Sequence, residues 1–250
     1  MTEARKLRHN APVAPVAQAA AQVIAGEPGG AAQGWLAIVS IVALLAFIVD
    51  TFLVTSGALL NGFDLPLERA VQGVHWGPIA TAMEVSNASG GIGQVLIGVA
   101  AVVGMFIYER RAGMLMALGA GASVLDSVLK VSIARHRPTT DVVAVLHNSA
   151  GYSYPSGHAV FFTWVAFMLA VAFVPHVRPS RRVLIWVAAG ALIFIVCLGR
   201  VWAGAHWPSD VIGGFLFALA WSAFVLAVPE RWLPAPGRRW FSWIRPAGKR

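Results

Sequence analysis

Three short polar clusters interrupt an otherwise apolar chain: Lys130-Val-Ser-Ile-Ala-Arg-His-Arg137-Pro138, Tyr154-Pro155-Ser156-Gly157-His158, and Gly199-Arg200 followed by His206 and Asp210. Their residue types suit a phosphoryl group. Lys130, Arg137 and Arg200 offer one ammonium and two guanidinium forks, the donors that clamp nonbridging phosphate oxygens. Ser156-Gly157-His158 follows a proline and opens an apolar run, so unpaired backbone N–H groups and a helix dipole face the same anion. Gly157 permits close backbone approach, Ser156 adds a hydroxyl donor, and His158 stands where it can protonate a leaving oxygen. His206 and Asp210 are four apart, so the carboxylate reaches one imidazole nitrogen if a helix begins there. That contact fixes the tautomer and makes the other nitrogen a nucleophile able to form a phosphohistidine.

Each cluster also has a plainer reading. A single Lys or Arg at the end of an apolar run snorkels to the interface, and a His and Asp four apart can ligate zinc. Three permanent cations in one small cavity repel a divalent metal unless carboxylates outnumber them, and only Asp210, with Asp141 as a distant candidate, is near. Asp126, one turn before Lys130, either positions its ammonium or makes an ordinary helix pair, and it is left outside the expected site. Asp50 either lines an entrance or snorkels. His75, His136 and His147 read as solvated loop residues, and Asn87-Ala88-Ser89 matches a glycosylation tripeptide of little weight.

The elements that must carry these clusters are membrane spans. Of the 250 residues, 58% are hydrophobic and only 12% charged, with mean hydropathy +0.69, far from a soluble domain. Apolar runs of spanning length lie at roughly 35 to 57, 91 to 108, 112 to 130, 158 to 176, 183 to 199 and 210 to 229. The expected fold is all-α: a polytopic bundle of six transmembrane helices. The stretch from about 64 to 84 carries Asp64, Glu68, Arg69 and Glu84 and suits an interfacial helix after the first span. Cys197 is the only cysteine, which excludes a disulfide framework and a cysteine metal site.

Net charge is +8, and its distribution is topological rather than a nucleic-acid footprint. With the N-terminus inside, the inner segments hold 14 of the 19 Lys and Arg residues, so both termini are expected in the cytosol and the clusters on the outer side. The outer side keeps Arg69, Lys130, Arg135, Arg137 and Arg200. Residues 1–33 lack an apolar h-region, so no cleaved signal peptide is expected and the segment reads as a disordered cytosolic tail. Residues 34–230 form the membrane domain. Residues 231–250 form a basic cytosolic tail whose Trp232, Trp240 and Trp243 suit the headgroup zone, as Trp35, Trp76, Trp202 and Trp207 do.

The three clusters resemble the motifs K-x6-RP, PSGH and SR-x5-H-x3-D of the type 2 phosphatidic acid phosphatase family, which includes vanadium haloperoxidases and bacterial acid phosphatases. Every internal spacing is kept, across roughly residues 85 to 225. The resemblance implies a six-helix bundle, a metal-independent reaction without cofactor, and a lipid phosphate substrate such as phosphatidate, phosphatidylglycerophosphate or undecaprenyl diphosphate. His206, His158 and Asp210 are then catalytic, and Lys130, Arg137, Ser156, Gly157 and Arg200 bind phosphate. Gly199 departs from the usual serine, which removes one hydroxyl contact while leaving nucleophile, acid and clamp. The expected protein is a lipid phosphatase of a bacterial inner membrane with its site facing the periplasm, its partners the bilayer and the lipid, with no nucleic acid and no obligatory protein partner. The rivals are a phosphotransferase using the same phosphohistidine, a haloperoxidase, and a noncatalytic phospholipid-binding membrane protein.

Overall fold

A computed structural model describes residues 30 to 228. The two expected tails, with Trp232, Trp240 and Trp243, lie outside the described residues apart from the start of the first helix. The order is α1 (Gly30–Thr55), a π-helical turn (Leu60–Asp64) running into α2 (Leu65–Gln72), α3 (Pro78–Ala88), α4 (Ile92–Tyr108), α5 (Arg110–Ile133), α6 (Gly157–Phe173), α7 (Pro179–Trp202) and α8 (Pro208–Ala227). No strand occurs among the described residues. Among the described residues five helices are long and apolar enough to span a bilayer, and the pair α3–α4, which passes the same test jointly but bends by 83°, makes six when counted as one span.

Local chemistry sets the ends that matter. Glu109 caps α5, its carboxylate accepting from the Arg111 and Ala112 amides at 2.9 and 2.7 Å, which satisfies two orphan donors of the first turn. Ala134 then turns left-handed (φ 53°) and ends the helix. Pro179 and Pro208 stand in the first turns of α7 and α8, where a missing N–H costs nothing. The stretch from 64 to 84 is not one helix. It divides between Gly73 and Gly77, because Pro78 starts a new helix and Gly77 takes φ 52°, a backbone that only glycine adopts freely.

α1 packs along α8, α8 against α6, and α6 against α5 and α7, while α3 lies on α7. The core runs through Leu36, Phe47, Leu115, Trp164, Val171 and Leu226. Two acidic residues of the expected interfacial stretch, Asp64 and Glu68, are fully buried. They turn toward the loops that follow α5 and α7, and not toward headgroups.

Candidate active site

All three clusters meet at one end of the bundle. The loops 134–156 and 203–207 are cross-tied by backbone and side chains: Leu146 and His147 amides donate to the Ala203 carbonyl, and the Trp207 indole donates to the His136 carbonyl at 3.1 Å. From below, α2 straps the longer loop, with Arg69 donating to the Val142 carbonyl and Gln72 to that of Ala144.

His206 is buried at the start of the turn into α8. Its Nδ1 stands 3.5 Å from Asp210 Oδ2, longer than a good hydrogen bond. Asp210 is otherwise engaged: Oδ2 accepts the Trp207 amide at 2.9 Å and Oδ1 accepts Arg135 at 2.6 Å. The other ring nitrogen, Nε2, faces Arg137 Nη1 at 3.0 Å. A guanidinium only donates, so Nε2 carries the lone pair and the proton is assigned to Nδ1, the tautomer that the Asp210 pairing requires. Burial, and then the charges of Arg200, Arg137, Lys130 and His158, hold His206 well below the usual histidine value. Its imidazole is neutral at pH 7, with the Nε2 lone pair directed at Arg137.

The cations do not play equal parts. Arg137 donates to the carbonyls of Ala150, Gly151, Tyr152 and Ala205 and to His206, which occupies all five of its N–H groups. It therefore ties the two loops together beside His206, and burial lowers its pKa despite Asp210 and Asp126. Lys130 pairs with Asp126 at 2.7 Å and donates to the Pro155 carbonyl. Arg200, only 1% exposed, donates to Asn87 Oδ1 at 2.8 Å and to Ser149 Oγ at 3.0 Å, while its Nε has no partner. Ser156 Oγ and His158 Nε2 are likewise buried and unpartnered.

Glycines set the distances. A Cβ on Gly157 would stand 3.0 Å from Asp126 Oδ2 and 3.5 Å from Lys130 Nζ, and one on Gly90 would stand 2.9 Å from His158 Cε1. Asp126, which sequence reasoning left outside the site, therefore forms part of its wall. His158 projects from the first turn of α6 against the elbow between α3 and α4.

Sequence reasoning missed a second tier behind His206. Arg135 bridges Asp64 and Asp210, both at 2.6 Å, and donates to Ser209 Oγ at 2.7 Å. Asp64 also accepts the Ser209 amide and hydroxyl at 2.8 Å each. Burial works against the Arg135 charge, but Asp210 and Asp64 outweigh it and raise its pKa. The unexplained excess of outer cations was the available signal. On the far side, the Tyr154 hydroxyl donates to Asp50 Oδ2 at 2.9 Å and pairs with Thr51 Oγ1 at 2.8 Å, so Asp50 fixes the second cluster and does not snorkel. Asn87 is buried and hydrogen-bonded on both sides of its amide, which excludes it as a glycosylation acceptor in this fold.

Two hollows reach these residues. A cavity of about 410 Å³ over the loops is lined by Arg137, His147, Ser149 and Tyr152. A groove of about 660 Å³ between α4, α5 and α6 is lined by Val95, Val99, Val124, Phe161 and Trp164 and ends at Asp126 and Gly157.

Known proteins resemble this chain in sequence and fold. The model of the PAP2 superfamily matches residues 110–234. Phosphatidylglycerophosphatase B of Bacillus subtilis (strain 168) is 35% identical over 129 residues, half of this chain and 60% of that protein. The chain thus spans less than two thirds of that relative. The undecaprenyl-diphosphatase of Sulfolobus acidocaldarius is 29% identical over 192 residues, 74% of this chain and 87% of that one. The crystal structure of a transmembrane PAP2 type phosphatidylglycerolphosphate phosphatase from Bacillus subtilis superposes with a TM-score of 0.62 at 26% identity, covering 74% of this chain and 93% of that one. With its three motifs gathered at one end of a six-span helical bundle, the chain belongs to the PAP2 superfamily.

Proposed function

We propose that the protein is an integral membrane phosphatase that hydrolyses a lipid phosphate or diphosphate through phospho-His206, without a metal. The observation that carries this reading is the set of buried donors without partners, Ser156 Oγ, His158 Nε2 and Arg200 Nε, gathered with a neutral His206. Buried donors of this kind cost stability unless an acceptor meets them, and a phosphoryl group supplies several acceptors.

In the first step, His206 Nε2 forms a bond to phosphorus as the bond to the lipid oxygen, or to the departing phosphate, breaks. His158 gives its proton to the leaving oxygen. The incoming phosphate's negative charge favours the imidazolium of His158 beforehand. His158, now neutral, takes a proton from water, whose oxygen attacks phosphorus and releases inorganic phosphate and His206. Arg200, Lys130 and the α6 amides stabilise the charge on the equatorial oxygens, and Arg137 must lengthen its contact with Nε2 as phosphorus approaches.

The apolar groove ending at Gly157 suits the lipid chain, and the loop cavity suits the exit of phosphate. Phosphatidylglycerophosphate and undecaprenyl diphosphate, the compounds for which the relatives are named, are the substrates to test with phosphatidate. The distribution of basic residues supports both termini in the cytosol and a site on the outer face of a bacterial inner membrane. Phosphate release by wild-type and His206→Ala protein is measured in detergent with excess EDTA. Release that survives chelation and vanishes in the variant is expected; release that needs metal, or persists in the variant, sinks the reading.

A further inference from the structure

Arg200 sits in the last turn of α7, and its fork is held by a residue on another helix. Asn87, near the end of α3, is 6% exposed. Its Oδ1 accepts Arg200 Nη1 at 2.8 Å and its Nδ2 donates to the Gly199 carbonyl at 3.1 Å. One amide therefore grips both the guanidinium and the backbone of the preceding residue. This fixes the roll of α7 and the aim of the side chain together. Ser149 holds the opposite Nη2, which leaves Nε as the free edge of the fork.

The grip depends on close approach. A Cβ on Gly199 would stand 3.1 Å from Met83 Cβ, 3.1 Å from Ser86 Oγ and 3.3 Å from Met83 Cα. Ser86 can rotate, but the Met83 backbone cannot yield without moving α3. The same helix leads through the elbow at Gly90, against which the His158 ring rests.

We infer that Asn87 is a positioning residue for the phosphate clamp, acting through Arg200, and that Gly199 is the contact that lets α3 bring it there. The absent side chain at 199 is thus no defect in the anion site. α3 fills that space and supplies an amide in its place. The inference rests on Arg200 binding phosphate, as proposed above, but not on turnover.

The test is orthophosphate binding to purified, detergent-solubilised full-length protein, read by isothermal titration calorimetry, so that no lipid need be hydrolysed. Asn87→Ala is expected to weaken binding about tenfold, the size of one lost positioning hydrogen bond to a charged group. In an Arg200→Ala background, where residual binding rests on Lys130 and the α6 amides, the same substitution is expected to change nothing further. That non-additivity separates action through Arg200 from a general structural effect, which adds in both backgrounds. Gly199→Ser is expected to weaken binding several-fold with Asn87 intact. Wild-type affinity in Asn87→Ala, an equal penalty in both backgrounds, or tighter binding by Gly199→Ser overturns the inference. Protein that binds phosphate through Asn87 and Arg200 yet releases none from any lipid leaves this inference standing and removes the proposed activity.

Discussion

The two helix ends that carry the proposed phosphate-binding groups are built in opposite ways. α6, which begins at Gly157, has 72% of its apolar window buried inside the bundle, whereas α7, which ends beside Arg200, has 11%. The α6 end is seated by backbone. The Ser156 amide donates to the Asp210 carbonyl at 2.9 Å, and α8 approaches so closely that a Cβ on Gly214 would stand 2.7 Å from the Ser156 carbonyl. α7 is mostly exposed along its length, and although Gly199 packs on α3 at its end, the Arg200 side chain itself is aimed by two hydrogen bonds, to Asn87 and Ser149. Where packing places a group, stability and activity fail together. Where single hydrogen bonds place it, activity fails first.

Removing the support behind α8 tests that contrast most severely. Arg135→Ala leaves Asp64 and Asp210 buried without their cation, a loss on the order of 3–5 kcal/mol, and both the unfolding midpoint in detergent and phosphate release should fall. Unchanged stability would break the comparison. Gly214→Ala should follow, costing about 1–3 kcal/mol through overpacking and lowering turnover in step, as thermal unfolding and an initial-rate assay on the same preparation will show.

A pH profile sharpens the same side. Burial, with Asp210 and Asp64 adding and Arg135 opposing, raises Glu68 from 4.5 to about 8. The native fold therefore prefers its protonated form, and stability should fall as pH rises from about 4.5 toward 8. Glu68→Gln should flatten that fall, with its largest advantage over wild type above pH 8; parallel pH profiles of the melting midpoint would refute it. The smallest effect belongs to α7. A Cβ on Gly190 meets nothing within 4 Å, so Gly190→Ala should gain up to about 1 kcal/mol of helix propensity with phosphate release unchanged.

The spans were legible because each is a long uncharged run, and their observed ends depart from the expected ones by a few residues. The three motifs were legible because each lies within one helix end and its adjoining loop, where local spacing carries the geometry. The second tier was not. Asp64 is 71 positions from Arg135, and Asn87 is 113 from Arg200, and no period links residues that meet only when separate helices pack. The stretch from 64 to 84 misled for a related reason. Its charges suggest a surface helix, but Asp64 pairs with Arg135 and Ser209, Glu68 is fully buried with it, and Gly77-Pro78 cuts the run in two. Arg137 was recognised, yet its saturation by four loop carbonyls and His206 depends on a loop path that sequence leaves open.

The elbow between α3 and α4 bears on the bilayer itself. Seventeen residues of α4 rise about 25 Å at 1.5 Å each, short of the roughly 30 Å hydrocarbon thickness. Counted with α3 as one span, α4 takes its remaining length from across the 83° bend, beside Gly90 and His158. Any shift of α3 is therefore felt twice, in the reach of that span and in the wall against which the His158 ring rests.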